Sequence, residues 1–391
     1  MDTQRVILAR LLARPMSLAD LGGATGASLP TLRRALRALE RDRWVAVVGQ
    51  ESRTGGRPAK LFGVDPSVHT VVGVHLVHPG MRLVATDLSG ALLDSHVPGE
   101  LDELEPDAVH GAVLTYLSHL SARFGERRLV GLALATPGYV DPRSGTVIAI
   151  GRVPRWRNLP ICERLRDATG LRVTIGNDID AMATAEFGLN GDHRTYAYAG
   201  VGEGVKFSMF LGGVPYVGPF GNAGVVSLRL LAGGAEEGSA ELLTVKGLLE
   251  AFERRASART PVLAVHARVR AQRDLRARYQ AVLTLAEAGD PDATAVVAPM
   301  VDLLGAQAAS FVHLIQPELL VIGGAFAGAP ERILSDVESA LRSRLPPLLD
   351  NNLIVRRARL DDELAAAVGA TRVFVQRFLH EDTTPLGAGP P

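Results

Sequence analysis

Residues 28–41 read SLPTLRRALRALER and residues 44–64 read WVAVVGQESRTGGRPAKLFGV, and together they decide the fold of the N-terminal part. Ser28 offers a side-chain oxygen to the free N–H groups of a helix start. Pro30 sits in the first turn, where its lack of an N–H costs nothing. Leu29, Leu32, Leu36 and Leu39 recur at helical spacing and predict a helix to about Arg41 with these leucines on one face. With the leucines turned inward, Thr31, Arg33, Arg34 and Arg37 fall on the outer faces, Arg33 and Arg37 one turn apart. Trp44 to Val48 alternates like a strand, 49–56 is a polar, turn-rich loop, and Lys60 to Val64 is the returning strand.

Upstream, Ile7, Leu8, Leu11 and Leu12 form a helical stripe ended by Pro15. Ser17 caps a short second helix through Leu18 and Leu21, which Gly22, Gly23 and Gly26 are expected to break. Three helices and a hairpin make a winged helix-turn-helix over residues 1–65, the third helix shaped for a major groove and the wing for backbone or minor groove. This segment holds 11 Arg or Lys against 6 Asp or Glu, a net of +5. The whole chain is neutral, at 42 against 42, so the remainder carries −5. A basic head on an acidic body suits a head that meets nucleic acid. Ser28, Thr31, Arg33, Arg34 and Arg37 are the candidate contacts, joined by Arg57 in the wing turn RTGGRP. Glycines there let backbone approach closely, and an arginine is favoured in a narrow minor groove. The competing reading is a solvated helix face and an ordinary hairpin turn.

The 391 residues suit two or three domains, and 47% hydrophobic content supplies a sizeable core. Cys162 is the only cysteine, which excludes an intramolecular disulfide and a zinc site built on several thiolates. No apolar run approaches the ~18 residues of a membrane helix, and the N-terminus lacks signal-peptide features, so a cytoplasmic chain without membrane partners is expected.

From Thr70 the texture changes to α/β alternation. Strands are expected at Thr70–Leu76, Arg82–Asp87, Leu129–Ala135, Arg172–Gly176, Thr195–Val201, Phe207–Leu211 and Leu319–Ile322. Pro106–Phe124 and Ala293–Ile315 are helical, 262–290 reads as a solvated helix pair, and 381–391 as a disordered tail.

Particular segments carry a resemblance. They are Thr136-Pro137-Gly138 with Asp141, Gly176-Asn177-Asp178 opening a helix, and Tyr216 with Gly218, Gly221 and Gly224. Further on come Gly247-Leu248-Leu249-Glu250-Ala251-Phe252, then Pro317-Glu318 leading to Val321-Ile322-Gly323-Gly324. In this order the chain resembles the ROK family (repressor, open reading frame, kinase) from the head to Phe378. The resemblance implies a two-lobed actin-like ATPase fold behind the winged helix: one lobe at 70–188 plus 365–380, the other at 189–364. Members are sugar kinases or, with a winged helix, repressors.

The departures from the family pattern argue against an enzyme. The metal- and phosphate-handling turn of family kinases reads His75-Leu76-Val77-His78-Pro79 here, with Cβ atoms and a proline where backbone amides must meet phosphate. The second phosphate loop reads Gly202-Glu203-Gly204-Val205-Lys206-Phe207-Ser208, placing a carboxylate in an anion nest. The family's zinc positions read Leu228, Glu241, Leu243 and Leu248, so neither metal nor cofactor is expected.

What remains is a candidate sugar pocket. Asp178 matches the family's catalytic base, Asn177 and Glu250 match sugar contacts, and Arg152 replaces an asparagine where a cation would grip an anionic sugar derivative. Asn177 or Asp178 acting only as a helix cap stays open, as does Arg152 facing solvent or plugging the pocket. The expectation is a dimeric DNA-binding regulator, a repressor, as a homodimer or dimer of dimers on an operator, with a small-molecule effector. A regulator with a vestigial pocket governed by a protein partner is the alternative, and a sugar kinase ranks last.

Overall fold

A computed structural model of the chain describes residues 2–51, 58–77, 80–98, 105–150, 153–189, 193–202, 204–226, 239–257, 264–272, 274–360 and 362–380. The head comprises α1 (Thr3–Ala13), β1 (Met16–Ser17), α2 (Leu18–Thr25), α3 (Leu29–Arg41), β2 (Val45–Glu51) and β3 (Ala59–Val64). Its three strands are antiparallel in the order β1-β3-β2. Ser17 forms a reciprocal capping box with Asp20, which fixes the start of α2. Gly22 and Gly23 lie inside α2 rather than breaking it. The helix ends at Gly26, whose positive φ of 67° is the left-handed conformation glycine adopts without strain. Ser28 caps α3 as its sequence implies. Leu29, however, is half exposed; Leu32, Ala35, Leu36 and Leu39 form the buried stripe, because the i, i+3, i+4, i+7 face passes through Ala35.

Behind the head stand two five-stranded sheets of the same connectivity. The first contains β4 (His69–Val77), β5 (Gly80–Thr86), β6 (Leu92–His96), β7 (Arg128–Thr136) and β10 (Arg172–Asn177), in the order β10-β7-β4-β5-β6. The second contains β11 (Tyr196–Val201), β12 (Val205–Leu211), β13 (Val214–Pro215), β14 (Leu319–Gly324) and β15 (Ile354–Arg357), in the order β13-β12-β11-β14-β15. Each has an antiparallel meander on one side of its first strand and two parallel strands on the other. A short hairpin, β8 (Tyr139–Asp141) with β9 (Thr146–Ala149), follows β7.

Helices α4 (Pro106–Arg123), α5 (Ile161–Thr169) and α6 (Asp178–Phe187) accompany the first sheet. The second is packed by α7 (Val245–Ser257), α8 (Ala264–Ala271), α9 (Leu275–Glu287), α10 (Pro291–Ile315), α11 (Glu331–Arg342) and α12 (Pro347–Asn352). The expected solvated pair at 262–290 is instead amphipathic. Tyr279, Val282, Leu283 and Ala286 of α9 turn a face into the core, and His266 of α8 is fully buried. Against expectation, α10 is long and apolar enough to cross a bilayer by length and composition. Its Val296, Val297, Met300 and Leu304 are buried in the second core, which accounts for that composition.

The last helix, α13 (Asp362–His380), returns to the first sheet. A Cβ on Gly73 of β4 would collide with the Ala367 carbonyl, and one on Gly369 with the Ala181 carbonyl of α6. Only glycine permits this closeness. The far end of α13 carries the head. Trp44 stacks on His69 with centroids 3.7 Å apart and on Phe378 at 5.7 Å. The Arg5 guanidinium lies 4.8 Å from the Phe378 ring centroid and donates to the Phe378 carbonyl. One continuous apolar cluster therefore runs from Ile7 and Leu36 to Phe374 and Leu379.

Burial at this joint, reinforced by Arg128, lowers the His69 imidazole from 6.5 to about 4, and Asp65 opposes the shift. Between those values the unfolded chain binds a proton that the folded chain refuses, so stability falls as pH drops through the window. By pH 5 the loss attributable to His69 is about 2 kcal/mol. Urea unfolding at pH 7 and pH 5 checks this: His69→Leu should show a loss on acidification smaller by that amount, and equal losses in both proteins would contradict it.

Candidate nucleic-acid interface and effector cleft

On α3 the side chains of Arg33, Arg34 and Arg37 are exposed and make no hydrogen bond or ion pair with any described residue. The basic residues just beyond them are engaged: Arg41 pairs with Asp42 at 2.9 Å and Arg43 with Asp65 at 3.7 Å. Ser28 accepts from the Thr31 N–H at 3.4 Å, and the two hydroxyls lie 2.9 Å apart, so both help to close the helix start. The result is a row of uncommitted guanidinium groups on a rigid helix, suited to phosphate oxygens and guanine edges. Arg57, with the wing turn 52–57, lies outside the described residues.

In the body, β4 carries His75 and α6 begins at Asp178. Their side chains are largely buried, with Nε2 of His75 3.8 Å from Oδ2 of Asp178. Asn177 is the N-cap of α6: its Oδ1 accepts from Ile179 N–H at 2.9 Å and its Nδ2 donates to the Gly138 carbonyl at 3.1 Å. Its amide is thus spent on holding the α6 start against the β7–β8 turn. Asp178 also accepts from Ile179 N–H, at 2.9 Å, and keeps its second oxygen toward His75.

Sequence reasoning missed the strongest interaction here. Lys206, only 3% exposed, places its Nζ 2.6 Å from Oδ2 of the equally buried Asp180. Burial raises the Asp180 carboxyl above its ordinary range, while the Lys206 ammonium and a Ser208 hydrogen bond oppose the shift. A signal existed: β12 is buried at every position from Val205 to Phe210, and a lysine in such a strand needs a buried carboxylate. The strand neighbours of Lys206 are packed as well. Val225 bridges to Lys206, and Phe207 stacks on Phe311 at 4.7 Å.

Glu250 stands apart from Asn177 and Asp178 in the contacts it makes. It lies on α7, partly exposed, facing Lys246 at 3.9 Å. Arg152, Glu203, Leu228, His78 and Pro79 lie outside the described residues. At the remaining zinc-equivalent positions, Leu243 and Leu248 belong to the apolar core and Glu241 is exposed. His266, Asp290 and Asp292 lie close enough to share an ion, but Asp290 caps α10 and holds Nε2 of His266 at 3.0 Å. Asp290 thus serves as a helix cap, and Asp292 faces Arg255 at 3.9 Å.

The chain is 21% identical to the xylose repressor of Bacillus spizizenii over 96% of its own length and 95% of that protein. It is 25% identical to the N-acetylglucosamine repressor of Escherichia coli over 85% of its length and 82% of that protein. Among solved structures, a ROK family transcriptional regulator described as a homologue of the Escherichia coli Mlc protein superposes with a TM-score of 0.78 at 19% identity. The match covers 97% of this chain and 98% of that one. The ROK hexokinase of Thermus thermophilus matches 78% of this chain and 97% of its own, with a TM-score of 0.61 at 25% identity. The ROK family pattern itself spans residues 72–377. With that span covering both sheets and the helix that closes them, the chain belongs to the ROK family.

Proposed function

We propose that the chain is a sequence-specific DNA-binding transcriptional repressor whose body senses a sugar or an anionic sugar derivative and does not phosphorylate it. The observation that carries this is the row of exposed, uncommitted Arg33, Arg34 and Arg37 on a capped α3. The end-to-end likeness to proteins named as repressors supports it. In this reading residues 1–65 bind an operator, Ser28 and Thr31 lie at the end of the reading helix, and Arg57 reaches from the wing. Two copies of the chain read a two-fold symmetric site. Asp178 and Glu250 supply groups for sugar hydroxyls, with Arg152 the cation for an anionic substituent.

Catalysis fails for a local reason. Phosphoryl transfer depends on cation-assisted positioning of phosphates by open backbone amides. Here Lys206 and Phe207 occupy that strand and His75 stands where the family pattern calls for a carboxylate. An ATP-coupled assay with common hexoses and aminosugars should therefore show no turnover above background. Turnover that disappears in Asp178→Asn would overturn this part of the reading.

A further inference from the structure

A cavity of about 530 Å3 lies between α13, α6, β10 and the β12–β13 hairpin. That volume is in the range of small-molecule sites. One wall is β10, which among the described strands pairs only with β7, so the polar backbone groups on its outer edge have no strand partner. Val214 of the β12–β13 hairpin and Val217 just beyond it face it, and Ile175 and Val373 add apolar surface. From Ala370 to His380 the helix borders the cavity along about 15 Å of its axis.

Charge is confined to the two ends. At one, Asp180 is already matched by Lys206. At the other, Arg377 and His380 line the cavity in the last turn of α13 and make no hydrogen bond or ion pair with any described residue. An elongated, mostly apolar space that ends at a guanidinium with no partner among the described residues favours one class of occupant: an apolar chain ending in an anion. Asn177 borders this space, but its amide is already bonded to the Gly138 carbonyl and the Ile179 N–H, and neither Asp178 nor Glu250 borders it, so the space adjoins the sugar cleft at Asn177 and extends away from it along α13.

We propose that this cavity binds a small carboxylate with an unbranched apolar body, its head held by Arg377 with His380 and its chain lying between Val373 and the β12–β13 hairpin. The proposal does not depend on which sugar, if any, occupies the cleft at Asp178.

Titration calorimetry of the full chain at pH 7 with octanoate, 1-octanol and acetate tests it. Octanoate should bind saturably with a Kd of ~1 mM or tighter. Octanol, without the anion, and acetate, without the chain, should each bind at least about 10-fold more weakly. Arg377→Gln should weaken octanoate about 10-fold. Arg377→Lys, which keeps the charge, should retain most of the affinity and so separates loss of the cation from damage to the helix end. Equal binding of octanoate and octanol would overturn the proposal. So would octanoate affinity indifferent to Arg377→Gln, or the absence of saturable heat.

Discussion

The double substitution Arg33→Ala with Arg37→Ala should cut discrimination between an operator and random DNA by roughly 30-fold or more. Both guanidinium groups stand one helical turn apart on the exposed face of α3 and make no hydrogen bond or ion pair with any other described residue. A bidentate arginine–guanine contact gives about 1–3 kcal/mol of discrimination, so losing two removes about 2–6 kcal/mol, or roughly 30-fold to 10⁴-fold in affinity ratio. Folding should be untouched, because neither side chain packs on the Leu32–Leu39 stripe. Fluorescence anisotropy with a selected site and a scrambled one, at fixed salt, measures the ratio. A variant that still discriminates as the parent does would assign α3 a different role. The residual non-specific binding should keep a steep salt dependence, since arginines elsewhere on the head still release counterions.

The second large effect concerns stability. Lys206→Met leaves Asp180 buried without its ammonium, and removing one partner of a buried pair typically costs about 3–5 kcal/mol. The penalty should shrink at acid pH. Without Lys206 the carboxyl of Asp180 is raised by burial and by the nearby Asp178, with only the Ser208 hydrogen bond opposing, so the folded variant takes up a proton more readily than the unfolded chain does. The loss is thus full above the folded-state value and diminishes as pH falls through it. Asp180→Asn added to Lys206→Met should recover much of the stability, because a neutral amide replaces an orphaned charge. Urea unfolding of the two single variants and the double variant gives the coupling. A single-variant cost below about 1 kcal/mol, of the size typical of solvent-exposed ion pairs, would show that the pair does not hold the two elements together.

Much of the head was legible because its signals are local. Ser28, Pro30 and the leucine spacing announce α3 without reference to anything outside it, and Ser17 does the same for α2. Periodicity reports a face, not the partner it meets. It therefore assigned Leu29 to the core, where Ala35 completes the stripe, and left α8 and α9 in solvent although Tyr279 and Val282 are buried. The joint between head and body was invisible for the same reason: Trp44 in the α3–β2 turn, His69 in β4 and Phe378 in α13 come from three separate places, the first and last far apart in the chain. At the cleft, the sequence pattern located Asn177 and Asp178 but offered capping and ligand contact as equal alternatives. The geometry gives Asn177 the capping role and turns one oxygen of Asp178 toward His75. Lys206 was legible as an obstruction in a phosphate loop, whereas its bond to Asp180 joins an inward-facing strand position to the first turn of a helix 26 residues earlier.

The most direct test of the central claim is selection of a DNA site from a random pool by the full-length protein, followed by competition titration of that site against its scrambled counterpart at physiological salt. The account predicts a two-fold symmetric site bound at least ~10³-fold more tightly than the scramble; recovery of no consensus, with an affinity ratio near one, would contradict it.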